Sequence, residues 1–169
     1  MVAPVRKTFR RTLAALCAVA AFVGVATASA ASRSPAGRDH HFGASYAGHA
    51  QGETSGTSAS GSATIRGRGR PIGRGTLRGS AHGTFTSQTC VTFSGRAVLS
   101  GGRGSVRLVA RHANACAAGG GNNVSFSGTA TVTGGTGMFT GARGRLSFTG
   151  SFNRANSSVK VSFSGLIRY

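Results

Sequence analysis

The groups in this chain that could move protons or hold metals are few. Its carboxylate side chains are Asp39 and Glu53 alone. Two acids cannot build a paired-carboxylate hydrolase, an EF-hand loop or a Mg²⁺-dependent phosphoryl-transfer site. His40 and His41 stand beside Asp39, with His49 further on, but neither helical i, i+4 spacing nor a zinc-finger pattern joins them into a metal site. A Ser-His-Asp triad would have to borrow Asp39, and the chain lacks a G-x-S-x-G elbow. The run Gly134-Gly135-Thr136-Gly137 is glycine-rich, yet it lacks the lysine and strand-helix setting of a phosphate loop and reads as a turn. No catalytic residue, metal ligand or cofactor follows from these residues.

Arginine is the abundant chemical group. Lys and Arg number 20 against 2 acids, a formal net charge of +18. Arg66, Arg68, Arg70 and Arg78 form the densest basic stretch. Arg-Gly tracts bind RNA, usually as disordered segments. Here each of these arginines lies opposite the apolar positions of its segment, as do Arg96, Arg107, Arg111, Arg145, Lys160 and Arg168. That placement predicts a solvated outer face that keeps the domain soluble, with anionic envelope polymers or lipid as the partners such a face attracts and nucleic acid disfavoured.

The elements that carry these residues begin after an export signal. Arg6, Lys7, Arg10 and Arg11 precede an apolar run from Leu13 to about Ala26, which ends in Ala26-Thr27-Ala28-Ser29-Ala30. Charged head, apolar middle and small-residue exit are the parts of a secretory signal peptide over 1–30, cleaved after Ala30 or Ala28. Its removal takes four basic residues and lowers the net charge from +18 to +14. Arginine preference with abundant Ala and Gly points to a bacterial host, so the expected location is extracellular. Residues 31–42 have no period and contain Pro35, and read as a flexible linker.

From 43 to 169 the period is two. Val124, Phe126, Gly128, Ala130 and Val132 alternate with Ser and Thr, and Val159, Val161, Phe163, Gly165 and Ile167 repeat the pattern. Eight such segments appear, near 43–54, 58–70, 75–86, 89–99, 104–112, 123–133, 143–153 and 158–168. Regular short strands with glycine-rich turns predict an all-β sandwich or barrel. Phe-Ser/Thr-Gly recurs at 93–95, 126–128, 139–141, 148–150 and 163–165, in four cases with Phe and Gly on the inward face. Large beside small suits strong bending and a tapered interior, so the expectation is an eight-stranded antiparallel barrel. Its apolar lumen would include Tyr46, Phe93, Phe126, Phe148 and Phe163, with Tyr46, Tyr169 and His112 the polar groups within reach.

The string Thr133-Gly134-Gly135-Thr136-Gly137-Met138-Phe139-Thr140-Gly141-Ala142-Arg143-Gly144, followed by an alternating strand, resembles the signature hairpin of the allene oxide cyclase/dirigent barrel superfamily. The resemblance implies an eight-stranded antiparallel barrel whose apolar lumen acts on or orients hydrophobic small molecules. Dirigent proteins place acids in that lumen. This chain has no acid after Glu53, so no functional residue carries over.

Cys90 and Cys116 are the cysteines that remain after export. Their midpoint, residue 103, falls in the Gly101–Gly104 turn, so a hairpin folding there sets them opposite each other in an oxidising compartment, within disulfide reach. Two functions remain open from the sequence. One is a non-catalytic secreted binder of a small apolar ligand or of anionic envelope components. The other is a cyclase or isomerase steering a hydrophobic substrate by lumen shape, which needs a polar group inside. Binding leads.

Overall fold

The computed structural model describes residues 37–169. The expected signal peptide and the first half of the linker, 31–36, lie outside the described residues. Eight strands follow in order: β1 (Asp39–Ser55), β2 (Ser58–Arg70), β3 (Gly73–Phe85), β4 (Cys90–Gly101), β5 (Gly104–Ala117), β6 (Asn123–Gly137), β7 (Arg143–Asn153) and β8 (Ser158–Arg168). Each pairs antiparallel with the next and β8 pairs back to β1, giving the closed eight-stranded barrel expected from the alternation together with the Phe-Ser/Thr-Gly repeat. A 3-10 turn at Ala118–Gly120 joins β5 to β6.

Alternation sorts the two faces. Ala130 and Val132 are buried on β6 while Thr129, Thr131 and Thr133 are exposed. All the outward arginines named above are exposed. An apolar interior with a Ser, Thr and Arg exterior is the reverse of a transmembrane barrel's pattern.

Two expectations change. Asp39–Phe42, read as linker, begin β1, because β8 offers them partners from Arg168 to Gly165 and buries Phe42. Gly134–Gly137, read as a turn, are the end of β6, paired to β5; the chain reverses over 138–142 instead. Gly134 adopts φ +144° where β6 gains one residue on β5, between Arg107↔Gly134 and Leu108↔Val132. A bulge there suits glycine.

The two ends of the barrel differ. At one end the β6–β7 turn folds Phe139 and Ala142 inward, and they meet Ile72, Leu99, Val106, Val132, Leu146 and Ile167, all with 0% exposure. Tyr169 packs edge-on against Phe139 at 5.1 Å and is stacked by His40 at 4.4 Å. At the other end Phe85, Val91, Phe93, Val124, Phe126 and Phe152 remain half-buried. The barrel is plugged below and open above.

Register at the open end depends on a bulge. Gly101 pairs with Gly104 across a two-residue turn, a register that continued unbroken would set Cys90 against Ala115. Between Phe93↔Ala113 and Gly95↔Ala110, β5 carries one residue more than β4. The extra length lies at Arg111 and His112, both exposed, with His112 at φ +55°. Cys116 thereby pairs with Cys90, and the disulfide forms across a sequence separation of 26. Replacing both cysteines by Ser should lower unfolding stability by about 3 kcal/mol, read by denaturant titration. Two reactive thiols in the unfolded, unreduced parent would refute the bridge.

The barrel closes where β1 meets β8. Arg168 donates to both Asp39 oxygens, Nε to Oδ1 at 3.0 Å and Nη2 to Oδ2 at 3.2 Å. This fork holds the Asp39 carboxyl below its usual value of 3.8, chiefly through the hydrogen bond. A depressed folded-state pKa contributes stability above the unfolded value, lost as pH falls through the folded one. Acid unfolding monitored by circular dichroism should therefore show a loss below pH 4 that Asp39→Asn removes. An unchanged acid profile in that variant would remove the pair from the account.

Candidate functional site

The five lumen residues expected from the sequence form one connected chain of rings. Phe93 meets Phe126 at 6.5 Å and Phe148 at 6.4 Å between centroids; Phe126 meets Phe148 at 6.4 Å. Phe148 continues to Phe163 at 5.9 Å, and Phe163 to Tyr46 at 6.5 Å. Two of these contacts are edge-on and three are tilted, at separations where aromatic pairs attract.

Glycine on neighbouring strands makes room for the rings. Phe126 lies opposite Gly150, Phe148 opposite Gly128 and Phe93 opposite Gly83. A Cβ on Gly128 would sit 2.9 Å from Phe148 Cζ, one on Gly83 would sit 2.7 Å from Phe93 Cβ, and one on Gly150 would run into the Phe126 ring. The Phe-x-Gly repeat thus works across strands as well as along them. The Phe126 and Phe148 rings lie over a bare stretch of the next strand's backbone.

Above this layer opens a cavity of about 530 Å³. Phe93, Phe126, Phe148 and Phe163 line it, joined by Phe85, Val91 and Phe152 and by small residues such as Ala81, Ala97 and Ala130. Ionisable residues at its border are Glu53, His82, Arg96 and Arg154, all exposed. The volume falls within the range of small-molecule pockets. Such a chamber can take an apolar molecule out of water; no buried acid, base or nucleophile lines it.

The polar residues expected near the lumen separate. His112 points outward at the β5 bulge, because the extra residue there needs no inward position. Tyr169 belongs to the plug. Tyr46 is buried as expected but does not line the open cavity; it lies at the far end of the ring chain, behind Phe163. Its hydroxyl is buried without a hydrogen-bond partner. Sequence reasoning missed the plug, Phe42, Ile72 and Phe139. Phe42 carried a signal, since it extends the inward series of Ala44 and Tyr46 by one step. His40 and His41 sit on β1, and among the described residues no cluster of three His, Cys, Asp or Glu could hold a metal.

Compared with protein families, with curated proteins and with solved structures, the chain matches none.

The orphan hydroxyl of Tyr46 has measurable consequences. Burial pushes its pKa from 10.0 to about 12. The unfolded phenol ionises first, so stability is complete below pH 10 and falls between pH 10 and 12. Tyr46→Phe should remove the late-titrating phenolate from the ultraviolet titration and flatten the alkaline loss. It should also raise neutral-pH stability by about 1–3 kcal/mol, since an unpaired buried donor disappears. A destabilised variant would mean that the hydroxyl has a partner.

Proposed function

We propose that this protein is an exported, non-catalytic binding barrel that holds one small apolar molecule, uncharged or anionic, in the open half of its lumen. The observation that carries the reading is the cavity of about 530 Å³ walled by phenylalanine and alanine above a plugged floor. A fully packed eight-stranded barrel would need no such space, and eight strands sit near the size at which a lumen can hold one ligand. The apolar wall supplies affinity through area removed from water. The open end supplies entry, and the aromatic layer sets the depth.

Export rests on the signal-like residues 1–30 and agrees with the disulfide, which persists in oxidising compartments. The family resemblance of 133–144 supports the same reading, because the string spans the end of β6, the plugging turn and the start of β7. Cyclase or isomerase chemistry has less support: the unpartnered buried hydroxyl of Tyr46 stands outside the cavity.

A neutral, environment-sensitive apolar dye tests the reading. The parent should take up one dye per chain, with affinity nearly unchanged between low and physiological salt. Ala81→Phe, which fills the chamber, should reduce uptake at least tenfold while the circular dichroism spectrum is retained. Phe126→Ala should alter affinity through the changed wall. Absence of uptake by the parent, or full uptake by the filled variant, would defeat the proposal.

A further inference from the structure

The outer wall carries a second, differently built feature. A groove of about 840 Å³ crosses β8, β1, β2 and β3 over the backbone of Val161, Tyr46, Gly67 and Gly75. Those four residues share a register row: Tyr46 pairs with Val161 and Gly67, and Gly67 with Gly75. The outward residues on either side of the row form the walls. Arg68 and Arg74, directly opposed across β2 and β3, stand in one wall; Arg66 and Lys160 stand in the other. All four are exposed.

Directly opposed like charges on neighbouring strands are destabilising. The barrel's other opposed arginine pair, Arg143 and Arg168, is compensated. Asp39 bonds Arg168, and the Arg143 guanidinium donates to the carbonyls of Thr133 and Ala142 at 2.9 Å each. Among the described residues, the four groove cations make no hydrogen bond or ion pair. Asp39 is engaged elsewhere, and Glu53 lies six or more residues along β1 from the groove, about 20 Å at strand rise. The chain supplies no counter-charge where it concentrates these cations.

The geometry points to an extended hydrophilic polyanion as the occupant, a flexible chain bearing repeated phosphate or carboxylate groups. From β8 to β3 the groove spans three interstrand steps, about 14 Å, too long for one oxyanion to meet both Lys160 and Arg74. Arginine's planar fork suits phosphate and carboxylate alike. The one aromatic residue at the groove, Tyr46, contributes backbone there while its ring is buried in the lumen, so no platform for stacking bases is present. The flanks are Ser45, Ser162, Thr76 and one small apolar residue, Ala47, too little for the apolar face that inserts into a bilayer. This site is separate from the lumen and does not depend on it.

Long-chain inorganic polyphosphate and polyglutamate are the probes, titrated calorimetrically against the purified protein. At least one should bind, with log K falling against log salt at a slope of about −3 for four neutralised cations. Replacing Arg66, Arg68, Arg74 and Lys160 together by Ser should weaken binding at least tenfold. Replacing Arg103, Arg107, Arg111 and Arg145 by Ser removes equal charge from other places and should cost less than threefold. The variant Arg66→Lys, Arg68→Lys, Arg74→Lys keeps charge and fold and should bind several-fold more weakly, which reads the groove even if the Ser variant fails to fold. Equal losses in the two quadruple variants, unchanged affinity in the Lys variant, or no binding of either polymer would overturn the site. Tighter binding of single-stranded DNA or anionic phospholipid vesicles than of both polymers would overturn the assignment of its occupant.

Discussion

The interior of this barrel depends on fitting aromatic rings against bare backbone. A phenylalanine standing inward from an eight-stranded wall meets its neighbour on the next strand within a few ångströms. Where that neighbour is Gly150 or Gly128 the ring lies across it, and Gly83 leaves room for the Cβ of Phe93. Any side chain at these positions would push Phe126, Phe148 or Phe93 toward the axis and into one another. The glycines are costly for strands in isolation. Their abundance becomes intelligible as the complement of the barrel's inward phenylalanines in a narrow tube.

The same fit makes the barrel unequal along its axis. The ring chain from Phe93 to Tyr46 runs through the lumen, and below it branched aliphatics and Phe139 fill the space completely. Above it, alanine and glycine dominate the inward positions of β2 and β3, and these are too small to meet at the centre. The cavity is therefore a consequence of where side-chain volume runs out. The disulfide lies on the outer face at this less packed end, and it holds β4 to β5 where the interior supports them least.

Much of this was legible in residue order because strands in a closed barrel have one buried face and one wet face throughout. Strand number, the outward arginines and the lumen phenylalanines all follow from period two. Features that break the period were not legible. The bulge at Arg111 and His112 leaves no local mark, and the midpoint argument reached the right cysteine pairing only because that bulge adds one residue. Gly134–Gly137 look like a turn by composition, yet β5 is present to pair with them. The groove could not be read at all, since it joins residues from four strands through a register that only the closed sheet defines.

Seven of the strand pairings join neighbours in the chain, and the eighth, β1 with β8, joins segments more than a hundred positions apart, as the bonds between Ser45 and Ser162 and between Arg168 and Asp39 record. The seven are cheap in loop entropy and can form as successive hairpins; the eighth closes the whole contour at once. Parting that single seam is then the opening that frees the ends of the whole contour from each other. It would leave a seven-pair sheet with two long raw edges, β1 and β8, and the phenylalanine lining turned to water. Self-association of this protein under stress would begin there, edge against edge.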